Sequence, residues 1–536
     1  MRKVVLALVA LCAAAIAVCA SPPRASALVP VISAGASHTL CVRNNGTLWS
    51  WGSGSNGRLG NGGTSSNTVP TQVGSLATWV DCAAGSAHSL GLRSDGTLWA
   101  WGQNSNGQLG LGNTTQQTSP TQIGTGTTWA DMSAGGSHSL AIKTDGTLWA
   151  WGLNSSGQLG LGNTTQQTSP TQVGAATNWA FVAAGYNYSL AIKTNGTLWA
   201  WGQNSNGQLG LGNTTSPYTS PTQVGSATTW RWVSAANGTS NWFSLGVRSD
   251  GTLWSWGTNS NGQLGLGNTT SPYTSPTQVG TGTTWYEAYA GSNFSLLLRS
   301  DRTAWSCGLN SSYQLGLGNT TQYSSPQQIT TGPAAWAMGT AGTSFGIAYG
   351  YDGNVYGWGL NSSYQLGLGN TATRTTPTAL SFSVFPSSGS LSVGTPTTTD
   401  FTGVTLSGVA TTTTASLGTI PVTDATTTTP GWHLTVSASQ FTNGTDLLDT
   451  SSLTVSAPTA VSHSYRRTLG PQPTPASGGP FIIDSGSAVT LASAATYTMG
   501  SYTIGSSPLT LTLTFPASAY AGTYSTVITL TGVTGP

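Results

Sequence analysis

The chain has 536 residues, and only 5% of them are charged, against roughly a quarter in ordinary soluble proteins. Its 15 basic and 13 acidic residues exclude the strongly basic surface that nucleic-acid binding requires, so we expect no nucleic-acid partner. A surface rich in Ser, Thr, Asn, Gln and Gly predicts binding through hydrogen bonds and aromatic stacking, with little sensitivity to salt.

Residues 1–27 have the pattern of a secretory signal peptide. Arg2 and Lys3 precede the apolar run VVLALVALCAAAIAVCA, and the sequence ASA at residues 25–27 offers a cleavage site. Loss of Arg2, Lys3 and Arg24 from the 15 basic residues leaves 12 against 13 acidic ones. We expect a secreted protein with no membrane span after signal cleavage. An uncleaved anchor and lipidation at Cys19 are the alternatives, although the apolar run is short for a membrane span.

Residues 28–380 contain seven near-copies of one segment. Typical copies read DGTLWAWGQNSNGQLGLGN, and the second Trp of each copy recurs every 50 to 55 residues. This position is occupied in turn by Trp51, Trp101, Trp151, Trp201, Trp256, Cys307 and Trp358. Self-similarity at this period predicts a propeller or a solenoid.

Each copy contains the strands of one propeller blade. The segments HSLGLRS and GTLWAWG alternate apolar and polar residues, TWVDCAAG precedes them, and SPTQVG follows as a short fourth strand. Asp95-Gly96 and its counterparts predict type I′ hairpin turns, with positive φ at both residues. Asp301-Arg302 lacks the glycine, which predicts a strained or reshaped turn in the sixth copy. Four strands in each of seven copies predict an all-β, seven-bladed β-propeller.

Comparison between the copies separates packing positions from candidate ligands. The residue before the Ser/Thr-Leu of the second strand is an aromatic ring in every copy, which predicts packing, with a hydrogen bond where the ring is His, rather than a metal site. These rings are His38, His88, His138, Tyr188, Phe243, Phe294 and Phe345. Trp99 and Trp101 share a strand face, which predicts packing between blades.

The cysteines and acidic residues give no catalytic pattern. Cys41 and Cys82 could form a disulfide or remain two buried thiols, and Cys307 is interpreted as a buried small hydrophobe. No acid, base and nucleophile are gathered in one motif, so we expect a non-enzymatic protein without cofactor or metal.

The repeat resembles the regulator-of-chromosome-condensation family, whose units carry Gly-x-x-His-Ser/Thr-x-x-Leu, Asp-Gly, Trp-x-Trp-Gly and a Gly-Gln-Leu-Gly loop. The resemblance covers about 350 residues and implies a seven-bladed propeller. It does not carry the founding member's guanine-nucleotide exchange to this chain, because a fold does not determine a function. With the signal peptide and the low charge, we expect no small-GTPase partner.

Residues 381–536 are rich in Thr and Ser, and their alternating segments predict a β-sandwich. A disordered Ser/Thr-rich stalk is the alternative. The region is similar to the WxL cell-wall-binding domain in two motifs. Trp432 and Leu434 match the first motif, and Tyr524 and Leu530 match the second, although Ile528 stands where that family has its second Trp. The resemblance implies association with the cell wall of a Gram-positive bacterium.

Aromatic residues are concentrated in the fourth to seventh copies and are candidates for a binding face. The candidate binding-face residues are Tyr218, Tyr273, Tyr313, Tyr323 and Tyr364, and all of them except Tyr323 are expected to be exposed on loops. We therefore expect an extracellular binding protein whose propeller recognises a protein or a cell-wall glycan while residues 381–536 associate with the wall. A secreted inhibitor of an enzyme such as a β-lactamase is one alternative, because one class of such inhibitors resembles this propeller. A hydrolase with a site on the propeller axis is the other.

Overall fold

The computed structural model describes residues 29–385 with their side chains and, outside that range, the backbone of thirteen further strands. Seven four-stranded antiparallel sheets follow one another along the chain, and the strands of each sheet lie side by side in chain order. We call these sheets blades 1 to 7 and their strands first to fourth.

The strands of blades 1 to 4 are Val31–Ala34, His38–Val42, Leu48–Gly52 and Asn67–Gln72; Trp79–Ala84, His88–Arg93, Leu98–Gly102 and Gln117–Gln122; Trp129–Ala134, His138–Lys143, Leu148–Gly152 and Gln167–Gln172; and Trp179–Ala184, Tyr188–Lys193, Leu198–Gly202 and Tyr218–Gln223. Those of blades 5 to 7 are Trp230–Ala235, Phe243–Arg248, Leu253–Gly257 and Tyr273–Gln278; Trp285–Ala290, Phe294–Arg299, Ala304–Gly308 and Tyr323–Gln328; and Trp336–Ala341, Phe345–Gly350, Asn354–Gly359 and Arg374–Ser383. One 3₁₀ turn, Ser55–Gly57, lies in blade 1.

The first strand of each blade packs against the first strand of the next, and blade 7 packs in the same way against blade 1. First strands therefore surround the axis of a closed seven-bladed β-propeller, as the repeat predicts. The second strand of blade 2 is buried over His88–Leu92, whereas its fourth strand has no fully buried residue. That outer strand carries Pro120, which cannot donate a ladder hydrogen bond and so discourages pairing with another sheet edge.

The Asx-Gly turns differ from the predicted type I′ geometry. Gly96 has φ +76°, but Asp95 is not left-handed. The amide of Gly96 donates to the carbonyl of Arg93, and the amide of Arg93 donates to the carbonyl of Thr97, which together make a three-residue hairpin loop with a left-handed glycine at its end. The Asp95 carboxylate accepts from the Thr97 amide at 3.0 Å and from its hydroxyl at 2.6 Å. Asx is therefore needed for its side-chain hydrogen bonds rather than for positive φ.

The corresponding turn of blade 6 keeps this geometry without a glycine. Arg302 has φ +72°, and its amide still donates to the carbonyl of Arg299 at 3.0 Å. A side chain in the left-handed region costs on the order of 1–2 kcal/mol. The prediction of a strained turn is confirmed, and the alternative of a reshaped one is not.

The second Trp of the repeat joins neighbouring blades, as predicted for Trp101. This side chain is fully buried, and its indole N–H donates to the carbonyl of Arg58 in blade 1 at 2.9 Å. The same bond recurs at four more junctions, from Trp151, Trp201, Trp256 and Trp358. Trp99, by contrast, packs within its own blade, edge-on to Trp79 at 6.2 Å.

Blade 6 replaces this Trp by Cys307, and a second replacement fills the space. Leu297 and Cys307 are each 1% exposed and lie in one hydrophobic cluster. The position of Leu297 is Gly91 in blade 2, where an added Cβ would lie 2.6 Å from the Trp79 ring and 3.2 Å from the Trp101 ring. A large residue on the second strand therefore compensates for the missing indole. The interpretation of Cys307 as a buried small hydrophobe is confirmed.

Cys41 and Cys82 are both buried thiols and form no disulfide, which decides between the two alternatives for this pair. Burial raises the pKa of the Cys41 thiol to about 12, so it is an unreactive thiol at neutral pH.

The ring closes between blades 7 and 1 without an exchanged strand. Blade 1 has no counterpart of Trp79, and Phe382, from the last strand of blade 7, packs in its place. The Phe382 ring lies 5.2 Å from Trp49 and 5.7 Å from Trp51, and the Arg43 guanidinium lies 4.0 Å above it. The last strand therefore extends to Ser383, three residues beyond the expected end of the repeats, because its end completes blade 1.

The second compact unit comprises residues 1–29 and 387–536. Its described strands are Ala13–Val18, Leu391–Val393, Thr411–Leu417, Ile420–Asp424, Trp432–Ala438, Leu453–Val455, Val461–His463, Thr474–Pro475, Phe481–Ile482, Val489–Ala494, Gly500–Ile504, Leu509–Phe515 and Ser525–Thr534. They form one five-stranded and two four-stranded sheets. Ala13–Val18, inside the predicted signal peptide, pairs parallel with Ser525–Thr534. The β-sandwich remains a prediction.

Candidate functional site

The propeller has two ends with different loops. Because the strands of a blade alternate in direction, the loops between first and second strands and those between third and fourth strands meet at one end, which we call the loop face. The Asx-Gly turns and the connections between blades meet at the other end, which we call the turn face.

Charge is divided unequally between these two ends. Within residues 29–385, two charged side chains lie at the loop face: Arg58 in a loop of blade 1, and Arg374, which begins the fourth strand of blade 7 where blades 4 to 6 have Tyr. Arg374 is half-buried and donates to the carbonyl of Ala372 at 3.2 Å. Arg58 is itself 9% exposed and donates to the carbonyls of Ser55 and Ser86. The loops are otherwise built from Asn, Gln, Ser, Thr, Gly and Leu with a few aromatic residues. The loop face therefore offers hydrogen-bonding groups without net electrostatic attraction.

Three of the predicted tyrosines begin fourth strands at the loop face. Tyr218 is half-buried, and its hydroxyl accepts from the side-chain amide of Asn213 at 3.1 Å. Tyr273 makes the same contact with Asn268 at 3.1 Å. Tyr323 is placed equivalently and meets Asn319 at 3.5 Å. Each ring therefore holds its own loop in place while one side stays accessible.

Tyr313 and Tyr364 lie on third-to-fourth loops, as expected, and both are half-buried. Their φ angles are +60° and +62°, in the left-handed region where the other five blades have glycine. This conformation costs on the order of 1–3 kcal/mol for a residue with a side chain. The surrounding loop keeps its shape, since the amide of Tyr313 still donates to the carbonyl of Asn310 at 3.0 Å.

The four wall-binding candidates belong to the second unit. Trp432 and Leu434 lie on the strand Trp432–Ala438, which pairs antiparallel with the strand that carries Leu530. Val436 and Leu530 are opposite each other in this register. Tyr524 lies outside the described residues. Two parts of the proposed motif are therefore adjacent in one sheet.

The three histidines link blades rather than bind a ligand. The Nε2 atom of His88 lies 3.0 Å from the hydroxyl of Ser139 in the next blade. That hydroxyl donates to the carbonyl of Gln108 at 2.8 Å, so the imidazole must donate to it. His38 and His138 make the same contact. Burial lowers the pKa of His88 and of His138 to about 3 and that of His38 well below its usual range, so all three are neutral.

Among the described residues, no group of three His, Cys, Asp or Glu side chains is placed to hold a metal ion. The part of the chain that the structure describes also contains no helix long and apolar enough to cross a bilayer.

Blade 5 differs most from the others at the loop face. Its first-to-second loop, residues 236–242, is four residues longer than Gly135–Ser137 in blade 3. Asn237 reaches across the axis, where its side-chain oxygen accepts from the Ser86 hydroxyl of blade 2 at 3.2 Å. The space left around it has a volume of about 10 Å³, which holds little more than a water molecule. The insertion therefore closes the axis at this end.

The same insertion places Trp242 beside Tyr186 of blade 4. Their ring centroids are 6.2 Å apart and their planes are inclined by 13°, which is an offset stack. Both rings are half-buried, and the indole N–H of Trp242 donates to the carbonyl of Gly238 at 2.7 Å. Both residues belong to the aromatic residues of the fourth to seventh copies, but the sequence prediction did not single them out as candidate site residues or as a pair. The signal was present in the spacing of 55 residues between Trp201 and Trp256, where other copies have 50 or 51.

At the turn face, six blades hold a cation against aromatic rings. Lys143 Nζ lies 3.9 Å from the Trp149 ring and 5.0 Å from the Trp129 ring, and Arg93 is placed in the same way in blade 2. The corresponding cations are Arg43, Lys193, Arg248 and Arg299. Each contact contributes on the order of 0.5–1 kcal/mol at such partly exposed sites. The basic residues of the repeat are thus used within the blades.

Comparison with known proteins places the propeller among related chains. The sequence is 33% identical over 150 residues to the protein RCC2 homolog of Xenopus laevis, covering 27% of this chain and 29% of that protein. It is 33% identical over 128 residues to the ultraviolet-B receptor UVR8 of Arabidopsis thaliana, covering 24% of this chain and 29% of that protein. The matched segments thus span less than a third of these curated relatives.

Two solved structures of the RCC1 protein of yeast, Prp20, have the same fold. The structure bound to Kap60 has a TM-score of 0.56 at 21% identity and covers 67% of this chain and 85% of that one. The structure described with its binding properties to Gsp1p and histones has a TM-score of 0.55 at 21% identity, over 67% of this chain and 87% of that one. At this identity the likeness shows the fold alone.

Family models match the sequence along the whole propeller. The RCC1-like domain model matches residues 17–243, and the regulator of chromosome condensation (RCC1) repeat model matches residues 250–298, 303–348 and 352–388. The seven-bladed propeller of this chain is therefore composed of an RCC1-like domain and RCC1 repeats.

Proposed function

We propose that this protein is a non-catalytic extracellular binding protein whose propeller recognises its partner through the loop face. The observation that carries the proposal is the contrast between the two ends of the propeller. The loop face has two cations, Arg58 and Arg374, both bonded to loop carbonyls, and several accessible aromatic rings, whereas the other charged side chains of residues 29–385 lie at the turn face and within the blades. Accessible rings in polar surroundings are the usual anchors of binding surfaces.

The extracellular part of the proposal is supported by the sequence at both ends of the chain. The pattern of residues 1–27 favours export. The WxL-like segments around Trp432 and Leu530 favour association of residues 381–536 with the cell wall. In this proposal the C-terminal region retains the protein at the wall, and the propeller is available to its partner.

The related proteins support a role in macromolecular binding. Yeast Prp20 is described as bound to Kap60 and as binding Gsp1p and histones. For this chain we propose a protein or a glycan outside the cell rather than a nucleic acid or a small GTPase. The charge after signal removal, 12 basic against 13 acidic residues, argues against a nucleic acid. The signal-peptide pattern of residues 1–27 argues against an intracellular GTPase.

Sedimentation tests the proposal. The mature protein and a form without residues 387–536 are mixed with purified Gram-positive peptidoglycan and with intact cells and then centrifuged. We expect the full-length protein to sediment with both and the truncated form not to sediment with peptidoglycan. If neither form sediments with either material, the wall association is wrong. Binding of purified GTPases with nucleotide release would contradict the choice of partner.

A quadruple variant tests the predicted tyrosines. Replacement of Tyr218, Tyr273, Tyr313 and Tyr364 by Ser should weaken capture of the partner from intact cells while sedimentation with peptidoglycan persists. As a control, Tyr313→Gly together with Tyr364→Gly restores the glycine found in the other five blades. This double variant should fold at least as stably as the natural protein. Unchanged capture by the quadruple variant would exclude these residues from the recognition surface.

A further inference from the structure

The most distinctive part of the loop face is the patch formed by Tyr186, Trp242 and the amide side chains next to them. The two rings come from different blades and lie nearly parallel, 6.2 Å apart. The backbone of Tyr186 is held in place, because its backbone amide donates a hydrogen bond to the carbonyl of Ala236 at 3.1 Å. Trp242 is fixed by its hydrogen bond to Gly238. The patch is therefore an ordered aromatic platform, although it lies on loops.

Four amide side chains flank the platform. Asn187 donates to Gln203 at 3.3 Å beside Tyr186, and Asn241 donates to Asn293 at 2.8 Å beside Trp242. All four are half-buried. A primary amide has two donors and a carbonyl oxygen with two lone pairs, so each pair keeps hydrogen-bonding capacity after its mutual contact is made. The platform is thus bordered on two sides by oriented donors and acceptors.

The chemistry of this patch is selective. It is made from aromatic faces and neutral amides, and within the described residues of blades 2 to 7 the one charged side chain at this face is Arg374 of blade 7, which does not belong to the blades that carry the two rings. A phosphate-bearing or sulfated ligand would lack a counter-charge there. A neutral pyranose chain presents C–H faces that stack on aromatic rings and hydroxyl edges that pair with amides, so its chemistry matches both parts of the patch.

Resting on the proposed loop-face recognition, we propose that the platform of Tyr186 and Trp242 binds a neutral oligosaccharide. The C–H faces of the sugar lie on the parts of the two ring faces that the offset stack leaves uncovered, and the hydroxyl or acetamido groups pair with Asn187, Gln203, Asn241 and Asn293. Blade 5 supplies the specificity, because the longer loop that closes the axis also brings Trp242 to the surface. The other first-to-second loops have no Trp.

Isothermal titration of the full-length protein with three soluble sugars tests the inference. Cellohexaose represents a neutral chain of hydroxyls, chitohexaose a neutral chain with acetamido groups, and a polygalacturonate oligomer an anionic chain. We expect a Kd between about 10 μM and 1 mM for at least one neutral hexasaccharide. The affinity should change less than twofold between 50 and 500 mM NaCl, and the anionic oligomer should not bind, because no counter-charge is present. Failure of both neutral sugars to bind would overturn the inference.

Two kinds of variant locate the site. Trp242→Ala and Tyr186→Ala should each weaken sugar binding at least tenfold, whereas Trp254→Phe, at the turn face of the same blade, should leave it unchanged. Replacement of residues 236–242 by the Gly-Gly-Ser of blade 3 removes the platform while keeping a loop that the fold already uses. This variant should fold and should not bind the sugar. Sugar binding that survives Trp242→Ala and the loop replacement would place the site elsewhere and overturn the inference.

The outcomes separate this inference from the function on which it rests. If the form without residues 387–536 still captures a partner from intact cells, and the quadruple Tyr variant does not, while the full-length protein binds neither neutral hexasaccharide, the loop-face proposal stands with a protein partner and the glycan inference fails. If the protein binds neither cells nor sugars, both fail.

Discussion

Mild acid should destabilise the propeller through its three buried histidines. Each imidazole is neutral in the folded state, because burial lowers the pKa of His88 and His138 to about 3 and that of His38 in the same direction. In the unfolded chain the same groups titrate near 6.5. Between these values the unfolded state binds the additional protons, so stability is fully present above pH 6.5 and is lost as the pH falls.

The size of the effect follows from the shift. Each pH unit below 6.5 removes about 1.4 kcal/mol of unfolding free energy for each histidine. At pH 5 the loss is about 2 kcal/mol each, or about 4 kcal/mol for His88 and His138 together, and His38 adds to it. Typical domains have only 5–15 kcal/mol in total. The Asp turns act at lower pH, since hydrogen bonds from Thr97 lower the pKa of Asp95 below its usual 3.8.

The chain contains its own control. Blades 5 to 7 have Phe243, Phe294 and Phe345 where blades 1 to 3 have histidine, and all three rings are fully buried. A variant with Phe at positions 38, 88 and 138 should lose three inter-blade hydrogen bonds, each contributing on the order of 1 kcal/mol at every pH. It should also lose most of the pH dependence between 6.5 and 5.

The assay is urea unfolding followed by Trp fluorescence at pH 7, 6, 5.5 and 5, with the unfolding free energy compared between the natural protein and the variant. The natural protein should show a steep decline and the variant a shallow one. Equal slopes for the two proteins would refute the assignment of neutral, buried imidazoles. The other histidines are present in both proteins and cancel in the comparison.

Three further variants test the packing. Phe382→Ala should lower the unfolding free energy of the propeller by about 3–5 kcal/mol, because it empties the position that completes blade 1. Phe382→Trp, which introduces the Trp found at this place in blade 2, should lower it by less than about 1.5 kcal/mol. Equal losses for the two variants in chemical denaturation would contradict this role of Phe382. Cys307→Trp alone should lower the unfolding free energy by about 1–3 kcal/mol, because the indole overpacks against Leu297. The double variant Cys307→Trp with Leu297→Ala should recover most of that loss. Additive effects in this double-mutant cycle would show that the two positions are independent and would contradict the proposed compensation. Arg302→Gly should raise the unfolding free energy by roughly 0.5–1 kcal/mol. Glycine removes the strain of a side chain at positive φ, and this gain exceeds the cost of the extra conformational entropy that glycine gives the unfolded chain. An unchanged or lower thermal unfolding midpoint would argue against strain at Arg302.

Sequence repetition was sufficient to predict the number of blades, the four strands of each and their order, because each copy carries the same alternation and the same turn residues. It also separated packing rings from ligands, since a position that accepts His, Tyr and Phe needs a ring and not a nitrogen. The turn type was predicted wrongly at Asp95-Gly96. The same two residues fit either hairpin, and the additional loop residue is visible only in the backbone hydrogen bonds.

Contacts between segments that are far apart in the chain could not be predicted from the sequence. The pairing of Phe382 with Trp49 joins residues more than 300 positions apart, and the compensation between Leu297 and Cys307 depends on which side chains share one space. The Tyr186 and Trp242 platform is also a tertiary feature, because its rings come from two blades. By itself, the sequence determined a ring of seven similar blades, since local alternation and repetition encode strands and their succession. Only the tertiary structure decided how blades 7 and 1 close the propeller and which accessible aromatic side chains lie next to each other. Both features depend on distances between blades, which no local sequence pattern records.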